Sequence, residues 1–260
     1  MAKSLRWINT IAFAAMIIIN VLAETLPIGG LTTGQVSGQY GNVFTPAGFT
    51  FGIWGVIYLM LAVFVIYHLI VRSPEADELI EDIGYMFAIG CVVNSLWLVV
   101  WHFDLLVLSS ILMIVLFIIN MTVFARVLGS RLHSEMFGVY SGWITIAMVA
   151  NFYAMAVGLG ANGRSSTALV LAVIIMTMST LIGIAVTILS GTFGFGLAMI
   201  WAFVGLAAGN LGTDGIKNTL VVAVLIHVIL LAAVEAIAVI YEMDSRSRRG
   251  GDFSATIFRG

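Results

Sequence analysis

Eight long apolar stretches follow one another along the chain: Trp7–Pro27, Phe49–Val71, Gly84–Trp101, Leu105–Leu128, Phe137–Leu159, Thr167–Leu189, Phe193–Gly209 and Thr219–Tyr241. A helix needs about 20 predominantly apolar residues to cross the hydrocarbon of a bilayer. The runs are continuous, whereas barrel strands alternate with period two. Lipid leaves every unpaired backbone group unsatisfied, so continuous runs must be helices. The expected fold class is an all-α integral membrane protein with eight transmembrane helices. The third and seventh stretches are the shortest.

Composition agrees. Only 9% of residues are charged, against 61% hydrophobic, and a soluble domain usually carries about 25% charged residues. Too few charges remain to clothe a globule in water. The net charge of −2 supplies no basic field for nucleic acid, so no nucleic-acid partner is expected. The single cysteine, Cys91, excludes an internal disulfide framework. Residues Met1 to Trp7 are short and basic, like a signal n-region. The apolar run that follows, from Ile8 to Leu26, is longer than a signal h-region of about 7–15 residues. It is therefore read as a retained first helix.

Basic residues set the orientation. With eight spans, Lys3, Arg6, Arg72, Arg126, Arg131, Arg246, Arg248, Arg249 and Arg259 fall on one side, and Arg164 and Lys217 on the other. The positive-inside rule then puts both termini in the cytoplasm of a cell whose inner membrane holds the protein. Seven spans would split the two basic termini. The acidic segment Glu75–Asp82 reads as a solvated loop on the cytoplasmic side.

Most connections are short. Residues 28–48 are the exception: uncharged, with six glycines, and facing outward. Long loops in compact domains are commonly functional, and this one reads as a lid over the bundle, with a passive surface loop as the alternative. From Asp244 the chain reads as a disordered cytoplasmic tail whose arginines favour anionic lipid.

No catalytic or metal-ligating constellation emerges. The four histidines, His68, His102, His133 and His227, are not paired at metal-ligand spacing on one predicted helix. No phosphate loop, nucleophile elbow or zinc signature is present. Glu235 is the one carboxylate deep in a span, with His227 two turns earlier on about the same side. Such groups are costly in lipid and face the bundle interior. The pair fits a proton relay, but structural bonding to a neighbouring helix is the more ordinary use.

Aromatic residues form the strongest pattern. Trp54 and Tyr58 share a face of the second helix. Asn94, Trp97 and Trp101 share one on the third, and Tyr140, Trp143, Ala147 and Asn151 make a stripe along the fifth. Large rings beside a small residue and an amide suit an apolar pocket with a few polar anchors. Any one stripe alone is more simply helix packing or an interfacial aromatic belt.

Together, in this order, the three stripes resemble the tryptophan-rich sensory protein family, also called the translocator protein or peripheral-type benzodiazepine receptor family. That family is a five-helix bundle. Its second helix carries a proline, a tryptophan eight residues later and a tyrosine four further on, matched by Pro46, Trp54 and Tyr58. Asn94 and Trp97 match its third helix, and Tyr140, Trp143, Ala147 and Asn151 its fifth. Ala47 and Val139 stand where the family has prolines. The resemblance covers about residues 7 to 159. It implies a domain organisation of a five-helix bundle (1–159), three appended helices (160–243) and a tail (244–260). The appended helices, with Trp201, Gly205 and Gly209 read as close packing, would dock on the core or on a second subunit to give a homodimer.

The resemblance further implies a membrane receptor or sensor that requires no cofactor and binds a flat apolar small molecule, such as the tetrapyrroles protoporphyrin or haem. Pro46, Trp54, Tyr58, Asn94, Trp97, Tyr140, Trp143, Ala147 and Asn151 would line its site. Asn94 and Asn151 would anchor polar edges. Two other classes stay open: a small-molecule transporter of the inner membrane, and a structural membrane protein whose aromatics serve packing alone.

Overall fold

The computed structural model describes residues 1–26, 28–212 and 215–257; of residues 28 and 244–257 only the backbone is described. Ten α-helices follow in chain order: α1 (Ala2–Thr25), α2 (Thr33–Gln39), α3 (Ile53–Ile70), α4 (Pro74–Ile83), α5 (Met86–His102), α6 (Leu106–Val127), α7 (Arg131–Gly158), α8 (Ser166–Ser190), α9 (Gly194–Gly209) and α10 (Gly215–Ile257). No strand occurs among the described residues. Each of the eight expected segments contains a helix. Six spans meet the length and apolarity of a membrane crossing: α1, α3 with the 3-10 turn before it, α6, α7, α8 and α10 up to Met243. A seventh qualifies only when α4 and α5, bent by 48° at their junction, are taken as one span. At 16 residues, α9 rises about 24 Å, short of the roughly 30 Å hydrocarbon core.

Two elements depart from the sequence reading. The acidic segment is a helix, not a loop. The Ser73 hydroxyl accepts a hydrogen bond from the Ala76 N–H at 3.3 Å, Pro74 opens the first turn, and Glu75 and Asp77 sit where the helix dipole favours acid. Ala76, Ile80 and Ile83 form its buried face. The second departure is α10, whose backbone continues as helix to Ile257, past the Asp244 boundary set for a tail. The tail arginines read as lipid-binding, Arg246, Arg248 and Arg249, lie outside the described side chains, and Arg259 lies outside the described residues.

α1, α5, α6, α7 and α3 close into a five-membered ring, each packed on the next and α3 packed again on α1. α9 lies against the outside of α7, and α8 and α10 pack on α9 and on each other. The α7–α9 seam is close enough to require glycine: a Cβ on Gly142 would stand 2.3 Å from the Phe195 carbonyl oxygen. Small residues let membrane helices approach in this way. Glu135 of α7 secures the same seam, accepting hydrogen bonds from the N–H groups of Phe193 at 3.1 Å and Gly194 at 2.7 Å. Those are among the donors a helix start leaves free.

Charge divides between the two ends of the bundle. One end gathers the N-terminal ammonium with Glu81, Arg6 with Asp77, Arg126 on the Asp82 carbonyl, and Arg131 with Glu242. Both the chain start and the described end of α10's side chains are thus at this basic end. The opposite end carries residues 28–48, with Arg164 beside Gly41.

Candidate functional site

The three aromatic stripes meet on one centre. Trp54 is the hub: its ring lies 5.5 Å from Tyr58, 5.7 Å from Trp97, 6.0 Å from Tyr140 and 6.0 Å from Trp143, centroid to centroid. The edge-to-face and offset arrangements are those aromatic quadrupoles prefer. A cavity of about 40 Å³ lies on the loop side of this hub. Of the nine residues read from the sequence, Pro46, Trp54, Trp97, Trp143, Ala147 and Asn151 line it.

The other three form a layer one turn closer to the basic end. There the Tyr58 hydroxyl donates to Asn20 Oδ1, the Asn20 amide donates to Asn94 Oδ1 at 3.0 Å, and the Asn94 amide donates to the Tyr140 hydroxyl at 3.2 Å. A connected chain of this kind satisfies polar groups that lipid would leave unpaired and sets the rotation of α1, α3, α5 and α7. Both asparagines expected to anchor a ligand have their amides engaged by protein. Asn94 sits in this chain, and Asn151 accepts from the Ser110 hydroxyl and donates to Ser109 Oγ, each at 2.8 Å.

The polar capacity left free belongs to other groups. The indole N–H donors of Trp97 and Trp143 and the Thr50 hydroxyl are buried without a partner, and all three residues line the cavity. By contrast, the Trp101 indole, also in the lining, donates to the Thr33 carbonyl at 3.3 Å. A buried donor left unmade costs about 1–3 kcal/mol, and the two indoles share that condition with buried groups elsewhere in the bundle, His68, His133 and Ser141 among them.

Residues 28–48 do cover the cavity. The helix α2 supplies Thr33 and Ser37, and Phe44 and Pro46 follow. α2 was not anticipated, although its capping box is in the sequence: Thr32 and Gln35 each bond the other's backbone N–H. This roof is tied down on several sides. Val43 N–H donates to the Gly163 carbonyl at 2.9 Å, and the Asn210 amide reaches the Val43 and Thr45 carbonyls, each at 3.3 Å. The Tyr40 hydroxyl donates to Asp104 at 2.9 Å. Partial burial, and then Asp104 itself, raise the Tyr40 phenol above its ordinary value, which keeps that donor protonated.

The site extends beyond the five-helix ring. Ala202 and Leu206 of α9 complete the cavity wall. Gly205 and Gly209, read as helix-packing positions, pack on the loop instead. A Cβ at Gly205 would meet Thr50 Oγ1 at 2.0 Å, and one at Gly209 would meet Ala47 N at 2.7 Å. The Ala47 N–H donates to the Gly205 carbonyl at 2.9 Å. Nothing in residues 7–159 signals this, because α9 lies outside the matched stripes.

The motifs, the five-membered ring and the aromatic hub are what the family comparison addresses. The model of the family described as TSPO-like protein matches residues 6–239. The chain belongs to the TSPO-like protein family. The match runs past Leu159, where the resemblance of the stripes ends, so the last three helices lie within the family match rather than beyond it. No curated protein and no solved structure gives a significant match. Membership, with six to seven apolar crossings, makes the chain an integral membrane protein of this family.

The buried carboxylate does not join a relay to His227. Glu235 accepts a hydrogen bond from the Thr187 hydroxyl at 2.8 Å and lies against Gly196, tying α10 to α8 and α9. His227 instead pairs with Thr177 at 3.0 Å and with the Ala223 carbonyl at 2.7 Å.

Proposed function

We propose that this TSPO-like protein is a membrane receptor for a flat, apolar ring molecule bearing hydrogen-bond acceptors, with a tetrapyrrole such as protoporphyrin or haem as the leading class. The single observation carrying this reading is the pair of unpartnered indole donors, Trp97 Nε1 and Trp143 Nε1, on residues that wall an aromatic cavity. Ring faces suit stacking on Trp54, Trp97 and Trp143. Acceptors such as carboxylates or carbonyls on the ligand's rim would satisfy the donors. A cavity of about 40 Å³ has room for a few waters at most, whereas ligand pockets measure roughly 300–1,000 Å³. On the receptor reading this small cavity is a closed form that ligand binding widens.

The test is a titration of the purified full chain in detergent with protoporphyrin IX, read by ligand-dependent rise in thermal stability. A ligand at a hundred times its Kd adds about 2.7 kcal/mol to the bound state. Ala147→Leu puts a larger side chain into the cavity without adding charge, and the stabilisation should fall at least tenfold in apparent affinity. A normal response from Ala147→Leu would place binding elsewhere.

We place the basic end in the cytoplasm on the nine-to-two division of Lys and Arg that eight crossings give, with an inner membrane as the proposed location. Cys91 is buried and stays silent to membrane-impermeant thiol reagents. A cysteine at exposed Gly38 should react from outside the cell, and one at exposed Gly129 only after the membrane is opened. Reaction of both in intact cells would refute the assignment.

A further inference from the structure

A second, open cleft of about 420 Å³ lies beside the aromatic cavity, on the flank of the bundle. All its lining residues are apolar, and Phe49, Val56 and Leu197 among them are exposed where lipid would lie. The cleft and the cavity run along one trough between α3, α7 and α9. Val139 and Ala198 line the cleft, and Trp143 and Ala202, one helical turn further on, line the cavity. The 3-10 turn Gly48–Gly52 and the start of α3 divide them, with Ile53 on the cleft side and Trp54 on the cavity side. Phe49 and Gly52 face the cleft, and Thr50 and Phe51 face the cavity.

The two sides of the cavity are fastened unequally. The roof is held by Asn210, Tyr40, Trp101 and the Val43–Gly163 bond, reaching α9, the end of α5 and the α7–α8 connection. The dividing turn is held against α9 on the lipid side by Trp201. Its indole donates to the Thr50 carbonyl at 2.9 Å, and its ring meets Phe49 edge-on at 5.6 Å. Opening the roof breaks several polar contacts that water must then replace. Swinging the Trp201 ring breaks one polar contact and leaves an apolar wall in contact with apolar surroundings, while the Ala47 N–H bond to the Gly205 carbonyl keeps the start of the turn on α9.

We infer that the cleft is a lateral vestibule through which the ring molecule enters from the bilayer, with Trp201 as the latch on the dividing turn. This rests on the ligand reading above for the identity of the cargo. It commits to a flat apolar molecule dissolved in lipid, because the cleft carries no charge to recruit an ion and no donor row to hold a peptide. The last three helices thereby acquire a role: α9 forms one jamb of the entrance.

The test uses the full chain in lipid nanodiscs. A small apolar diazirine dissolved in the bilayer is photolysed, and adducts on Trp54 and Trp143 are counted by mass spectrometry. Trp201→Ala should raise that labelling at least fivefold. Val56→Trp, which fills the cleft from an exposed position, should lower it at least threefold. Asn210→Ala, which loosens the roof, should leave it unchanged. In stopped-flow mixing with protoporphyrin IX, Trp201→Ala should speed association and dissociation about tenfold each, with Kd within threefold of wild type. Should Trp201→Ala fail to fold by circular dichroism, Trp201→Phe, which keeps the ring and loses the donor, takes its place with a smaller change of the same sign. Labelling that ignores Val56→Trp, as it would if the cleft merely seats an acyl chain, overturns the inference. So does labelling raised by Asn210→Ala and not by Trp201→Ala. If the diazirine follows the expected pattern but protoporphyrin does not bind, the ligand reading fails and the entrance stands.

Discussion

Gly142→Leu is expected to detach α9 from α7 and to cost at least about 3 kcal/mol of stability. Overpacking a well-filled interior costs roughly 1–3 kcal/mol when side chains can give way. Here the obstacle is backbone: the first carbon alone would stand 2.3 Å from the Phe195 carbonyl oxygen and 3.0 Å from its Cα. A helix cannot yield there without moving as a body. The loss should spread to the loop end, because α9 also holds Thr50, Ala47 and the roof through Trp201, Gly205 and Asn210. Thermal unfolding in detergent, followed by circular dichroism, checks this. Gly55→Ala is the control: its Cβ would meet nothing within 4 Å, and alanine gains up to about 1 kcal/mol over glycine in a helix interior. A Gly142→Leu protein as stable as wild type would mean that the α7–α9 seam is not closed as described.

Trp143→Ala carries the second large effect. The ring is buried and touches Trp54 at 6.0 Å and Phe51 at 6.2 Å. Removing a buried tryptophan costs about 3–5 kcal/mol through lost transfer energy and the void left behind. Ligand binding should disappear with it, since one stacking wall and one free donor go together. Trp143→Phe separates those parts. It keeps a benzene ring against Trp54 and removes the N–H, which has no hydrogen-bond partner, together with part of the indole, so the loss should be clearly smaller than for alanine, about 1–2 kcal/mol. Equal destabilisation by alanine and phenylalanine would show that the donor is satisfied inside the protein, and the cavity would lose its claim to be a site.

The outline of this fold is written in hydropathy. Twenty-residue apolar runs have one solution in lipid, so each of the eight segments holds a helix, and the two shortest runs became the bent α4–α5 pair and the short α9. The stripes were readable for a similar reason. Residues three and four apart must share a helix face, and Trp54, Trp97 and Trp143 do converge. Periodicity cannot say which turn of a stripe reaches a cavity. Tyr58, Asn94 and Tyr140 proved to lie one turn below it, in a chain completed by Asn20, a residue that looks like one polar interruption in an apolar first helix. Local capping signals at Ser73–Pro74 and at Thr32–Gln35 were present and outweighed by the expectation that polar stretches between spans are loops. The contribution of α9 was out of reach, because a glycine that receives a helix and one that receives a loop look alike until the partner is placed. Gly142 takes the first, Gly205 the second.

Intrinsic tryptophan fluorescence, quenched by protoporphyrin IX titrated into wild type and into a Trp97→Phe, Trp143→Phe double variant, tests the ligand site most directly. Four of the six tryptophans remain as reporters in the variant. Wild type should show saturable quenching. The variant, folded by circular dichroism, should bind at least tenfold more weakly, because hydrogen bonds to charged acceptors contribute about 1.5–3 kcal/mol each. No saturable quenching of wild type, or equal affinity in the two proteins, would contradict the assignment of the aromatic cavity and its free donors as the ligand site.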